Sequence, residues 1–424
     1  MARSTVPPAR LAAVDEANFT LDHAGQVNVF LVAGLLRPGG FVRPDGQPDM
    51  PMLRRELGER IQTLPQLRRV AVSVGRRHAW AEVAPNLEDH VRAIAAVEGV
   101  GGLEQVCAGL MCMPLPLNLP LWELLVVPRA TADGLGIVLR IHHAIADGMS
   151  AVTIARTLFH EDVQRVSAVA SVASAPGPAR SVALRQGTRR IAVGIQRTLV
   201  TLINHSVPPT ALLGPRSALH GVRFLDVDLG SLRSHAIALG GTVNDALLDA
   251  VAAGYRAALT ALGEPIPQSL PVSVPVALTR RESSANQVGV MLVRLPVHET
   301  DADERLRLIA GQTRREKPRA RQQGTLELMR GPVGARIMDV VGRRQRVVAG
   351  FVTNVPGPSG ALRLCGAPVA AIWPVAVLAA NVRSGVAALS YDGRLWCGIH
   401  FDAASIPGAA FAEGMAEELL RLTT

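Results

Sequence analysis

Aromatic residues are scarce in this chain: two tyrosines, four tryptophans and eight phenylalanines make up 3% of 424 residues. With so few rings, no aromatic-and-basic signature of RNA binding is present. Lysine is rarer still, since Lys317 stands alone and the net charge of +9 is carried by arginine. Cysteine is limited to Cys107, Cys112, Cys365 and Cys397. They form neither CxxC pairs nor a compact framework, which excludes zinc-finger and disulfide scaffolds and predicts reduced thiols filling the core of a cytoplasmic protein. No apolar run reaches the ~18 residues a spanning helix needs. The longest, 367–380, contains Pro368 and Pro374. Residues 1–15 carry two arginines and two prolines but no apolar segment of the secretory kind. The expectation is a soluble or peripheral cytoplasmic protein. A G-x-S-x-G elbow and an H-E-x-x-H helix are also missing, which excludes the commonest serine nucleophile and the commonest zinc hydrolase.

What is present is a hydrophobic content of 48% over 424 residues. That is enough for a large core and for two domains of roughly 200 residues each. Composition divides the chain into 1–166, 167–215 and 216–424. Residues 167–181 are rich in Ser, Ala, Pro and Gly, as in a linker. Residues 185–203 set Ile191, Ile195, Leu199 and Leu202 on one face with arginines elsewhere. That pattern fits an in-plane membrane helix and a crossover helix between domains equally. A basic surface suits an anionic membrane or a phosphorylated substrate such as coenzyme A; nucleic acid ranks last.

The most informative stretch is 136–148. Ile137, Leu139 and Ile141 alternate with Val138, Arg140 and His142, the period of a strand, and residues 149–159 then carry apolar side chains at helical spacing. His142 and His143 therefore fall at a strand end. Neighbours on a strand point to opposite faces, so the pair is badly placed to share a metal, while one ring can face the core and the other a cavity. Asp147 and Gly148 close the turn. Gly148 suits a positive φ, and Asp147 reads either as a structural anchor or as the acid of a dyad.

These residues, His142-His143-Ala144-Ile145-Ala146-Asp147-Gly148, resemble the HHxxxDG motif of the CoA-dependent acyltransferase superfamily. Four further segments, in order, narrow the resemblance: Pro120-Leu121-Trp122-Glu123, Thr242-Val243-Asn244-Asp245, Pro271-Val272-Ser273, and Thr353-Asn354 running on to Pro356-Gly357-Pro358. Together they are similar to the bacterial wax ester synthase/diacylglycerol acyltransferase family. An arginine that commonly follows the Pro-Val-Ser-aliphatic segment in that family is replaced here by Pro275, so its task passes to Arg280 or Arg281 or is lost.

The resemblance implies an α/β fold of two chloramphenicol-acetyltransferase-like domains, each a mixed sheet flanked by helices, with an active-site tunnel at their interface. It implies His143 as general base, His142, Asp147 and Gly148 as the structural frame, and Trp122, Asn244, Asp245, Thr353 and Asn354 as substrate or oxyanion contacts. On general grounds Trp122 also fits a core position, and Thr242 with Asp245 has the spacing of a helix capping box. The implied partners are acyl-CoA, as cosubstrate with no further cofactor and no metal, and diacylglycerol or a long-chain alcohol at an inner membrane face or lipid droplet. A thioester is already activated, so transfer needs only a base and oxyanion donors. An inactive lipid-binding relative and a condensation-type transferase are the rival readings. The first would not need His143, and the second would need a carrier protein.

Elsewhere, Asp392-Gly393 between two apolar runs predicts a hairpin, and 314–321 a basic helix face. Residues 101–117 predict a helix broken by Pro114, and His90 reads as a surface histidine as readily as a functional one.

Overall fold

The computed structural model describes residues 9–23, 26–75, 77–132, 134–146, 148–161, 207–277, 288–323, 332–358 and 360–424. In chain order its strands are β1 (Ala9–Arg10), β2 (Val29–Leu36), β3 (Arg69–Val74), β4 (Arg77–Glu82), β5 (Val91–Ala93), β6 (Trp122–Thr131), β7 (Gly134–His142), β8 (Phe159–Glu161), β9 (His220–Asp228), β10 (Leu270–Ala277), β11 (Val288–Leu295), β12 (Gly350–Val355), β13 (Leu362–Leu364), β14 (Ala367–Val375), β15 (Ser384–Tyr391) and β16 (Arg394–Asp402). The principal helices are α1 (Ala13–Leu21), α2 (Met50–Ile61), α3 (Leu87–His90), α4 (Gly99–Leu110), α5 (Gly148–Leu158), α6 (Leu229–Ala238), α7 (Val243–Ala261), α8 (Ala302–Gln323), α9 (Pro332–Gly342) and α10 (Gly408–Arg421).

Two large sheets organise the molecule. The first runs β5-β6-β7-β2-β14-β13-β8 and the second β11-β10-β12-β15-β16-β9, with β1-β4-β3 as a small third sheet. Both large sheets are mixed: β5 and β6 are parallel in the first, as are β10, β12 and β15 in the second, beside antiparallel neighbours. Helices cover them, and the result is the two-sheet α/β architecture expected. β7 is buried along its whole length, so the polar members of its second set, Arg140 and His142, are both bonded inside the protein, to Glu123 and Asp22.

The division at 216 is crossed by β13 and β14, which belong by position to the second half but pair within the first sheet, β14 lying antiparallel to β2. The apolar run 367–380 is thus largely a sheet strand. Its far side rests on the second sheet, where Gly398 makes room: a Cβ there would lie 2.0 Å from the Pro374 carbonyl oxygen. Trp373 stacks on Phe224 of β9 at 4.6 Å and meets Trp396 of β16 edge-on at 5.3 Å. Two of the four tryptophans are therefore placed where the two sheets meet.

Local signals in the sequence have visible outcomes. Thr242 accepts from the Asp245 N–H while the Asp245 carboxylate accepts from the Thr242 N–H, a complete capping box at the start of α7. Asp392 and Gly393 both take positive φ, as a two-residue hairpin turn requires. The helix expected over 101–117 ends at Leu110, before Pro114. Residues 167–181 and 185–203 and Arg280 and Arg281 lie outside the described residues, so the linker and amphipathic-helix expectations fall there. No single helix among the described residues is long and apolar enough to cross a membrane. The bent pair α6 and α7 meets that length and composition jointly, and α7 is mostly buried in the second core.

Candidate active site

β7 delivers both histidines to its end, where His142 still pairs with Val29 of β2 and His143 begins the turn. The His142 ring is completely buried. Its Nδ1 accepts the Ala144 N–H at 3.0 Å, so the ring proton sits on Nε2, which donates to the Asp22 carboxylate at 3.1 Å. The other Asp22 oxygen accepts the Asn28 N–H at 2.9 Å. Burial alone would raise the Asp22 pKa, but the hydrogen bonds from His142 and Asn28 outweigh it and hold the carboxyl below its ordinary value.

Position 143 is held by its backbone. The His143 N–H donates to the Asn28 carbonyl at 3.0 Å, and its own carbonyl accepts from Asn18 Nδ2 at 3.2 Å. Asn28 Nδ2 in turn donates to the Asn18 carbonyl at 3.0 Å. Its half-buried imidazole lies against Phe30, with ring centres 4.9 Å apart. Both nitrogens of His142 are thus committed within the protein, and a rigid frame of three polar residues fixes where the His143 ring is hung. That frame comes from α1 and the segment after it. Phe19 of α1 also stacks on the His142 ring at 5.3 Å. Asn18, Asp22 and Asn28 were invisible to sequence reasoning. Their one signal is that Asn18 and Asp22 are four apart, on one face of a helix.

Asp147 lies outside the described residues, and α5 starts at Gly148 immediately after it. Trp122 occupies the core position that general grounds allowed. It is 1% exposed, stacks on His90 at 4.7 Å and donates Nε1–H to the Leu67 carbonyl at 2.9 Å. A ring enclosed on these sides fills the core. His90 is likewise buried, giving its Nδ1–H to the Trp122 carbonyl at 2.7 Å; burial lowers its pKa and keeps it neutral. Glu123, the last residue of the same segment, faces Arg140 across β6 and β7 and bonds it there, while its second oxygen takes Arg92 at 2.7 Å. The Pro-Leu-Trp-Glu segment is therefore explained by folding demands: an ion pair inside the first sheet and a stacked core pair.

Asp245 is buried, and its carboxylate serves Thr242 at the cap and Thr313 of α8 at 2.7 Å. Asn244 beside it is half-buried. Thr353 and Asn354 sit half-buried near the end of β12, paired with Ala387 and Ala388 of β15. They stand in the second sheet, whereas the histidines stand in the first. Gly357 beyond them approaches β15 so closely that a Cβ would lie 2.0 Å from the Ser390 carbonyl oxygen, and its N–H donates to Ser390 Oγ at 3.2 Å. The Pro-Gly-Pro turn is thereby pinned to the neighbouring strand.

A cavity of about 280 Å³ opens between the two halves, with Val27 and Met111 from the first facing Arg216, His220, Leu378 and His400 from the second. Val27 immediately precedes Asn28, the anchor of His143. The His400 Nδ1–H donates to the Ala376 carbonyl at 2.8 Å, so its Nε2 is free to accept the His220 Nδ1–H, also at 2.8 Å. Burial, then the neighbouring His220, drives the His400 pKa down to about 3. Among the described residues no group of three or more His, Cys, Asp or Glu is placed to hold a metal ion.

Two mixed sheets, the first completed by β13 and β14 from the second half of the chain, with a histidine pair at the end of a central strand of the first, match the two-domain acyltransferase and condensation fold. The family model of the wax ester synthase/diacylglycerol acyltransferase catalytic domain matches residues 11–205, and that of the WS/DGAT C-terminal domain matches 284–423. The chain belongs to the wax ester synthase/diacylglycerol acyltransferase family, and its activity is acyl-CoA-dependent O-acyl transfer. A probable diacylglycerol O-acyltransferase of Mycobacterium tuberculosis is 29% identical over 378 residues, 82% of this chain and 78% of that one. A second, putative one from the same organism is 27% identical over 374 residues, 84% of this chain and 79% of its own. In fold, the wax ester synthase/diacylglycerol acyltransferase of Marinobacter aquaeolei superposes with a TM-score of 0.73 at 20% identity, covering 98% of this chain and all of that one. The first condensation domain of the calcium-dependent antibiotic synthetase gives 0.65 at 15% identity, with 99% and 96% covered.

Proposed function

We propose that the chain moves a long-chain acyl group from acyl-CoA to a lipid hydroxyl, that of diacylglycerol or a long-chain alcohol, with His143 as the general base. One observation carries this reading: His142 is completely buried with both ring nitrogens on Ala144 and Asp22, whereas the neighbouring His143 is half-buried, held by its backbone at the end of β7 and set beside Phe30. Neutral His143 takes the hydroxyl proton as the oxygen attacks the thioester carbonyl. The tetrahedral oxyanion is met by donors at Thr353 or Asn354. Collapse breaks the C–S bond, and the imidazolium returns its proton to the leaving thiolate. The reaction so written takes acyl-CoA as cosubstrate and no further cofactor. Because each buried CH₂ contributes ~0.8 kcal/mol, long acyl chains are favoured over acetyl.

The enzyme works as a peripheral protein at the cytoplasmic face of the inner membrane or on lipid droplets, a reading supported by the arginine-borne charge of +9 and by the apolar nature of the ester product, triacylglycerol or wax ester. Thiol release from a series of acyl-CoAs, with and without each acceptor, tests the whole. Palmitoyl-CoA with diacylglycerol or a long-chain alcohol is expected to turn over fastest, and His143→Ala to slow transfer by ~10²–10⁴-fold with the fold intact. Equal rates with acetyl-CoA, or near wild-type turnover by the variant, would overturn it.

A further inference from the structure

The helix α9 has two unlike faces. On the inner one Ala335 and Gly342 are buried, and Asp339 reaches His23 Nε2 at 3.1 Å and Arg343 at 2.6 Å. On the outer one Ile337, Val340 and Val341 are 56%, 67% and 39% exposed. Their spacing of three and four residues gathers them into one apolar patch. Arg336 and Arg343 border it and Arg344 continues it past the helix end, all three exposed. The single acid of the helix, Asp339, is turned inward, where it pairs with His23 and Arg343; among the described residues of the helix and its end, Arg336 and Arg344 therefore keep the outer face apolar and cationic.

This face stands close to the chemistry in the chain of contacts. α9 packs on α1. His23, which anchors Asp339, follows directly on Asp22, which holds His142, and Asn18 of α1 holds the His143 carbonyl. α1 is thus shared between the histidine turn and α9.

We propose that the outer face of α9 is the surface on which the enzyme docks to an anionic lipid bilayer, burying Ile337, Val340 and Val341 at the headgroup boundary while Arg336 and Arg344 meet lipid phosphates. Charge complementarity and the apolar patch together select a lipid surface over a soluble acidic partner, which has no use for three aliphatic side chains. The inference deepens the lipid-acceptor reading and rests on it for its purpose: the docked face presents the α1 end of the site to the phase that holds the acceptor.

Sedimentation with phosphatidylglycerol/phosphatidylcholine vesicles tests it without reference to catalysis. The wild-type chain is expected to bind these vesicles and to bind pure phosphatidylcholine less. Ile337→Ser with Val340→Ser is expected to lower partitioning by roughly tenfold or more. Arg336→Gln with Arg344→Gln lowers it by roughly fivefold per arginine on the anionic vesicles and little on the neutral ones. Val340→Trp supplies an optical probe, since Trp80, Trp122, Trp373 and Trp396 are all buried; its emission is expected to shift to the blue when vesicles are added. All of these variants should keep the wild-type Tm and wild-type thiol release with a short, water-soluble alcohol. Unchanged partitioning in the serine variant, or a Val340→Trp emission that ignores vesicles, overturns the proposal. So does a lipid-free dimer that the serine variant converts to monomer, because the face then joins two copies of the chain. Vesicle binding through this face in a protein that transfers no acyl group to lipid acceptors supports the docking surface and refutes the acceptor reading instead.

Discussion

Each half of the molecule encloses a histidine near the end of an inner strand, and the two are bound for different ends. His142 takes a backbone N–H at one nitrogen and gives its proton to a carboxylate at the other. His400 gives its proton to a carbonyl and takes one from a second histidine. The first arrangement fixes a turn, and with it the residue next in line, His143. The second clips the link after β14 to the second sheet through neutral groups alone. Burial in itself says little about a histidine's purpose; the partners on its two nitrogens say most of it.

Asp22→Ala is the sharpest way to break this comparison. It strands the buried Nε2–H of His142 and the Asn28 N–H, and so is expected to cost about 1–3 kcal/mol of stability and to slow acyl transfer about 10²-fold through a displaced His143. His400→Asn is expected to cost a similar amount of stability while the rate per folded molecule stays at wild type. Urea melts and thiol-release kinetics on both variants decide the matter, and equal losses of rate would erase the distinction.

The pH dependence separates the pair further. His400 has a folded pKa of about 3 against an ordinary 6.5. Its contribution is therefore fully present above about pH 6.5 and lost as the pH falls toward 3, amounting to about 2 kcal/mol by pH 5. The Asp22 pKa is lowered by its hydrogen bonds; its contribution is present above the ordinary carboxylate value and lost only as pH falls through the lowered folded value. Stability measured between pH 7 and 5 should thus slope downward in the wild type and flatten in His400→Asn. The smallest effect is expected at the α7 cap. Asp245→Ala should cost about 1–2 kcal/mol with the rate per folded molecule unchanged, and a large loss of rate would place this carboxylate among the reacting groups.

Much of this was legible in the chain, for local reasons. A capping box, a two-positive-φ hairpin and a buried strand are each written within a few consecutive residues, and Thr242 with Asp245, Asp392 with Gly393, and 136–142 all announce themselves. The histidine turn was legible as a pattern too. What escaped were partnerships across distance. Nothing near Asp22 points to His142, 120 residues away. The motif that marks Trp122 likewise cannot say that His90 lies flat against it. The run 367–380 fell by position in the second half, and hydropathy carries no record of which sheet a strand will join.

The placement of β14 has a consequence for how the protein is made. During synthesis β2 and β7 emerge early, yet the neighbour that completes the first sheet on the β2 side is not available until residue 375 has left the ribosome, by which time nearly all of the second half has been made as well. Until then β2 presents an unpaired apolar edge, the kind of surface that recruits other chains. Closing a loop of more than three hundred residues is slow. A nascent chain stalled or cut between the halves is therefore an aggregation hazard rather than a free-standing domain, and the two halves are expected to be produced in soluble form only as one polypeptide.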